Sequence, residues 1–342
     1  MSERSVARDP QPVAITVPSF LSQDASNSSR DSLRCSADSA PLSALSGVEG
    51  RHLFLVLLVS IALAWPAAAS AQGRVECRSV PSATLKRAVQ YCALLPPSYD
   101  TEKMRRYPVL YYFHGLGDNE QSLVNLGGWN LIEKLWASSR IGEFLIVTPN
   151  GGRGFYVNSQ DGRQRYEDFL LQEFFPAIEK SYRVRAGRAS RGIGGTSMGG
   201  YGALRLAFLH PELFVSVTAH SPLLVESLPA GRSDPRAGWA QDSVLAGVFG
   251  RPVDLAHWER NNPLAIARRA AGLARLKIYF DCGRDDDYGF ERGAEMLAKV
   301  LKFRGIAHQA HIYPGRHDWF YVGEHLDESL EFHSRAFGLK KE

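Results

Sequence analysis

The apolar positions of this chain fall into short continuous runs separated by longer stretches of helical period. Val109–Phe113, Phe144–Thr148 and Lys277–Phe280 are apolar or aromatic almost throughout, which predicts strands buried on both faces. Arg191–Gly194, Phe214–Ala219 and His308–Tyr313 predict three more. Between them Phe169, Leu170, Phe174 and Ile178 share one side of a helix predicted over Tyr166–Tyr182. Leu123, Leu126, Leu131 and Leu135 predict another over 121–138, broken around Gly127-Gly128. Earlier, Arg74–Val80 and Arg87–Leu95 predict a hairpin turning at Pro81-Ser82-Ala83. Strands that alternate with helices over such a length predict an α/β fold with a mostly parallel central sheet and helices on both faces. Residues 223–272 interrupt the alternation and predict a small lid-like insertion over the face where such sheets bind ligands.

The first quarter has a different pattern. Residues 1–50 are rich in Ser, Asp, Ala and Pro without a sustained apolar period, and they predict a disordered segment or one not translated in vivo. Residues 51–71 pass from Arg51-His52 through the apolar run Leu53–Trp65 to the small-residue end Ala69-Ser70-Ala71. That order predicts a signal peptide cleaved after Ala71, with an uncleaved membrane anchor as the alternative. A translation start near Val48 would place the leader at the N-terminus. The expected product is a secreted or periplasmic domain over 72–342, touching membrane only through the leader if it is uncleaved.

Composition narrows the function. The 342 residues carry a formal net charge of +4 and are 44% hydrophobic, an ordinary globular balance. The basic residues form no stripe with interleaved aromatics, so nucleic-acid binding has no support. No Cys/His spacing resembles a zinc site, and the reading requires no metal or cofactor. Cys77 and Cys92 lie on the two arms of the predicted hairpin, where they are either a disulfide of an exported protein or two unpaired thiols.

The chemistry centres on Gly195-Thr196-Ser197-Met198-Gly199, a G-x-S-x-G between a predicted strand and the helical run Tyr201–Phe208. A nucleophile elbow has this context. The turn strains the serine, leaves no room for side chains at the glycines, and aims the Met198 amide beside the serine oxygen. In folds with such an elbow the order continues to an acid and then a histidine, each past the carboxyl end of a strand. His317 follows the strand His308–Tyr313, whereas His308 and His311 belong to the strand itself. The acid lies among Asp285, Asp286 and Asp287, beyond Lys277–Phe280, and the residues alone leave those three open. His114-Gly115-Leu116 ends the strand Val109–Phe113, the place for a second oxyanion donor at the Leu116 N–H, with His114 as a loop anchor. Tyr156 and Trp319 border these motifs and are either substrate contacts or core aromatics.

Taken in order, Tyr111–Leu116, Asn150-Gly151-Gly152 with Phe155-Tyr156, Gly195–Ala203, Pro211–Phe214, Asp281–Asp286 and His317-Asp318-Trp319 resemble the putative esterase family of α/β-hydrolases over residues 75–337. That family includes feruloyl and siderophore esterases, formylglutathione hydrolase and the mycolyltransferases. The resemblance implies the α/β-hydrolase fold and selects Asp286 as the acid, three residues after Gly283. It also implies an oxyanion hole of the Leu116 and Met198 N–H groups, and a serine carboxylesterase acting through an acyl-serine on a small-molecule or carbohydrate-linked ester. Two alternatives accompany it: an acyltransferase that hands the acyl group to a sugar or other alcohol, and an inactive binding module.

Overall fold

Strand β3 (Val109–Phe113) is buried at every position, and its side chains divide between two cores. Val109, Tyr111 and Phe113 join one, Leu110 and Tyr112 the other, as a two-residue period demands of a strand covered on both faces. The structure, a computed structural model, describes residues 72–228 and 242–339. The expectations for residues 1–50 and for a leader over 51–71 fall outside the described residues.

Among the described residues the sheet has eight strands in the order β1-β2-β4-β3-β5-β6-β7-β8. Strands β1 (Arg74–Ser82) and β2 (Arg87–Leu95) form the antiparallel hairpin, and β2 pairs antiparallel with β4 (Leu145–Pro149). From β4 across β3, β5 (Arg191–Thr196), β6 (Ser216–His220), β7 (Lys277–Gly283) and β8 (Gln309–Tyr313) all pairings are parallel. The hairpin register sets Cys77 opposite Cys92, and the two are joined by a disulfide.

Helices cover both faces. Trp129–Ala137 (α1) packs on one side, after an irregular turn at Val124–Gly128 in which Gly127 has φ +95°. The expected helix 166–182 is Tyr166–Phe169 (α2) and Phe175–Ser181 (α3) joined by a wide π turn, where the Phe175 N–H reaches back five residues to the Leu170 carbonyl. Met198–Leu209 (α4) follows β5, and Asp242–Phe249 (α5), Leu255–Asn261 (α6) and Pro263–Arg269 (α7) are the short helices of the predicted insertion. Phe290–Phe303 (α8) and Trp319–Ala336 (α9) follow β7 and β8.

Several strands end later than their composition suggests, and this matters for the site. Strand β5 runs two residues further, to Thr196, because it pairs with β6 as far as Thr196↔His220. Strand β7 continues through Asp281, Cys282 and Gly283, which pair with β8. The polar residue at 281 hides the strand from a reading of apolar runs, yet its side chain is fully buried. Connections reverse direction between β3 and β5, so the carboxyl ends of those two neighbours open a crevice at the switch point.

Candidate active site

Ser197 stands where β5 gives way to α4, with φ +55° and ψ −115°. That backbone is strained for any residue with a β-carbon, and the surroundings hold it in place. Its N–H donates to the His220 carbonyl (2.9 Å), and its own carbonyl accepts from Tyr201 N (2.9 Å) and Leu223 N (3.2 Å). The glycines of the elbow are required by contact. A β-carbon at Gly199 would lie 2.1 Å from the Phe113 carbonyl oxygen, and one at Gly195 would lie 2.6 Å from the same atom.

The Ser197 hydroxyl points at His317, Oγ to Nε2 being 2.9 Å. On the other side of the ring, Nδ1 is 2.6 Å from Asp286 Oδ2. Asp286 is buried, and its second oxygen accepts from the N–H groups of Tyr288 (2.9 Å) and Phe290 (3.3 Å), so the carboxyl group is used as an acceptor throughout. His317 therefore carries its proton on Nδ1 and presents a lone pair on Nε2 to the serine hydroxyl, the tautomer a general base needs. The rings of Tyr288 and Phe290 meet the imidazole edge-on at 4.8 and 5.4 Å and limit its tilt.

The three aspartates separate by function. Asp285 is exposed, and Asp286 meets the imidazole. Asp287 grips the loop instead, accepting from the Arg316 guanidinium (Nε at 3.0 Å) and from the His317 N–H (3.2 Å). The guanidinium hydrogen bond holds the Asp287 carboxyl below its usual range. Cys282, buried under the acid, directs its thiol toward Asp286 Oδ2 (3.5 Å), and burial pushes its pKa well up. It is an inert thiol.

Loop 114–118 lies directly beside the nucleophile, since a β-carbon on Gly115 would come within 3.6 Å of Ser197 Cβ. His114 fixes the loop. The Gly151 N–H donates to His114 Nε2 (2.9 Å), so the ring proton sits on Nδ1 and donates to the Gly115 carbonyl (2.8 Å). Burial lowers the His114 pKa, which favours this neutral form. Leu116 lines the cavity above Ser197. Met198 is the first residue of α4, where an amide has no intrahelical acceptor and the helix dipole favours negative charge.

The cavity over Ser197 has a volume of about 470 Å³. Asp118 and Arg153 line it at the β3–β4 side, while Leu223, Val244 and Phe290 line it beyond β6. Trp319 is in its wall. Tyr156 is not, and the idea that it contacts substrate is corrected: its ring is fully buried, stacked on Phe113 at 4.0 Å, with its hydroxyl donating to the His114 carbonyl (3.1 Å). It braces the 114–118 loop from below, because Gly151 and Gly202 leave it the space to do so. Sequence reasoning missed Ser221, a buried residue of the cavity wall that follows β6; its place past a strand's carboxyl end is the signal that would have found it. Among the described residues no group of His, Cys, Asp and Glu could hold a metal ion, and no helix is long and apolar enough to cross a membrane.

Comparison with known proteins matches the chain to a family. The pattern of the family described as "Putative esterase" matches residues 82–333. Esterase Rv1288 of Mycobacterium tuberculosis is 32% identical over 247 residues, which are 66% of this chain and 51% of that protein. The chain thus spans about half the length of that relative. The acetyl esterase of Caldicellulosiruptor saccharolyticus is 27% identical over 263 residues, 75% of this chain and 96% of that one. Among solved structures, a ferulic acid esterase is 30% identical with a TM-score of 0.67, covering 78% of this chain and 99% of its own.

Proposed function

The chain belongs to the putative esterase family, and from that premise we propose that it is a serine carboxylic ester hydrolase working through an acyl-serine intermediate. One observation carries the reading: a single imidazole lies 2.9 Å from Ser197 Oγ and 2.6 Å from a buried carboxylate. His317 Nε2 takes the hydroxyl proton as Ser197 Oγ bonds to the ester carbonyl carbon. The oxyanion that forms is held by the N–H groups of Leu116 and Met198, and Asp286 stabilises the imidazolium. His317 then returns the proton to the departing alcohol, leaving the acyl-serine. Water, deprotonated by the same nitrogen, attacks the acyl carbonyl; the acyl–oxygen bond to Ser197 breaks as His317 returns the proton to Oγ, and the carboxylic acid leaves.

The substrates we propose are short or aryl acyl esters of carbohydrates or small alcohols. The similarity to an acetyl esterase and a ferulic acid esterase supports this class. So do the charged groups of Asp118 and Arg153 in the cavity wall, which suit the hydroxyls of a sugar. Export as a secreted or periplasmic protein is part of the proposal, and the Cys77–Cys92 disulfide supports it, since such bonds persist in oxidising compartments.

The test is hydrolysis of p-nitrophenyl acetate and methyl ferulate by the wild type and by Ser197→Ala, with and without an added sugar acceptor. Turnover lost by a factor on the order of 10⁴ or more in Ser197→Ala is expected. A new ester formed at the acceptor's expense of hydrolysis would identify a transferase instead. Folded protein that cleaves no ester would overturn the reading in favour of a binding module.

A further inference from the structure

We infer that Trp319 sets the length of acyl chain this site accepts, because its side chain divides the catalytic cavity from a second apolar groove. The inference rests on the proposed role of Ser197 as the acylated nucleophile. Trp319 lines the cavity of about 470 Å³ over Ser197, and it also lines a groove of about 140 Å³ whose other walls include Leu126, Leu131, Gly323 and Leu326. The two spaces share this residue.

Helix geometry sets the two spaces along one line. Trp319, Val322, Gly323 and Leu326 stand at positions i, i+3, i+4 and i+7 of α9 and so form one stripe. Its first two residues face the catalytic cavity, and its last two line the groove. From Trp319 to Leu326 the stripe covers about 10 Å at the rise of an α-helix, the reach of a medium-length acyl chain. The facing wall is also apolar: Leu126 sits on the irregular turn before α1 and is 48% exposed, an apolar side chain left open to solvent beside the groove. The occupant that fits is the hydrocarbon tail of an acyl group whose carbonyl is at Ser197. With the indole in place the tail has no passage, and short or compact acyl groups are favoured.

Gly323 supplies the control. A β-carbon there meets nothing within 4 Å, so a larger side chain enters open space rather than displacing a neighbour. Trp319→Ala is expected to raise the ratio of kcat/KM for p-nitrophenyl decanoate over p-nitrophenyl acetate at least tenfold. Adding Gly323→Leu to that variant is expected to bring the ratio back toward the wild-type value. A ratio within twofold of wild type in Trp319→Ala, or a raised ratio that Gly323→Leu leaves untouched, overturns the inference. Because Trp319 is near His317, binding is measured as well, by calorimetry with p-nitrophenyl decanoate on Ser197→Ala. Tenfold tighter binding on adding Trp319→Ala supports the partition, and unchanged affinity overturns it. That comparison needs no turnover, so it decides the partition even where the wild type hydrolyses no ester, a result that would count instead against Ser197 as nucleophile.

Discussion

The main-chain N–H of Ser197 donates to the carbonyl of His220 at 2.9 Å, so the nucleophile hangs from the end of the neighbouring strand. The His220 side chain, turned into the protein, anchors that strand end in its turn. Its Nδ1 lies 2.8 Å from Asp281 Oδ2 and its Nε2 2.8 Å from the Ser329 hydroxyl, all fully buried or nearly so. Tyr321 donates from its hydroxyl to the other oxygen of Asp281 (2.9 Å) and packs against Gly315, in the loop that carries His317. One buried polar cluster therefore ties the strand ends behind Ser197, Asp286 and His317.

His220→Ala tests that tie. It takes the ring away from the buried Asp281 carboxyl, at a cost of about 1–3 kcal/mol for such a group, whereas the Ser329 hydroxyl keeps its hydrogen bond to the Leu326 carbonyl (2.9 Å). We expect a loss of about 2 kcal/mol in urea denaturation. The Ser197 hydrogen bond to the main chain survives the substitution, so kcat of the folded protein should fall far less than stability. A stability change below about 1 kcal/mol would show that the cluster is not what fixes the strand ends.

Asp286 and Asp287 are adjacent in sequence and differ in what they hold, which makes their variants diagnostic. Asp286→Asn can present an N–H to the imidazole and so favours the wrong tautomer; kcat should drop on the order of 10⁴-fold. Asp287→Asn weakens the grip on Arg316 and on the His317 N–H but leaves the imidazole its partner. A loss on the order of tenfold is expected there. Equal losses, or a larger one at Asp287, would move the acid by one residue.

Much of this was legible before any coordinates. The order Ser197, aspartate cluster, His317 follows from the alternation of strands and helices, because each chemical residue sits just past an apolar run. Position past a strand end needs only periodicity and turn chemistry, both local properties. The register within Asp285–Asp287 was not local: it depends on which carboxyl group the β7–α8 turn buries, and three identical side chains give no pattern to read, so only the family resemblance pointed to Asp286. His220 and Asp281 were hidden for a related reason. They are polar at strand ends, and their partner Ser329 is more than a hundred residues away from His220. Tyr156 was ambiguous because an aromatic beside a site motif can face the cavity or brace its floor, and only the stacking on Phe113 decides.

The disulfide makes a separate prediction about the edge of the sheet. Cys77 and Cys92 are 15 residues apart, and closing a loop of that size constrains the unfolded chain by about 3 kcal/mol in the chain-entropy account. Cys77→Ser with Cys92→Ala, or reduction of the native bond, should lower the denaturation free energy by about that amount. Hydrolysis by the folded variant should persist, since the hairpin is two strands removed from β5 across β4 and β3. Unchanged stability after verified loss of the bond would indicate that the hairpin is held by the sheet alone.

The buried His333 gives stability a specific dependence on pH. It lies under the sheet with Nδ1 at 2.7 Å from the Ser216 hydroxyl and Nε2 at 2.9 Å from the Thr218 hydroxyl, and burial, aided by nearby His220, pushes its pKa down to about 3. The unfolded chain binds a proton at this residue near pH 6.5, where the native protein does not. Stability is therefore fully present above about pH 6.5 and declines as pH falls toward 3, by up to about 1.4 kcal/mol per pH unit from this group. Glu167 acts in the same direction over a lower window: burial alone would raise its pKa, but hydrogen bonds and charge from His210 and Arg205 hold it at about 2. In His333→Gln the first decline should become shallower, with the buried His114 and its lowered pKa still contributing in the same direction, while the second, below about pH 4.5, remains. Denaturation free energies of both proteins between pH 7 and 4 make the comparison, and parallel slopes over that range would show that His333 takes up its proton without leaving the native fold.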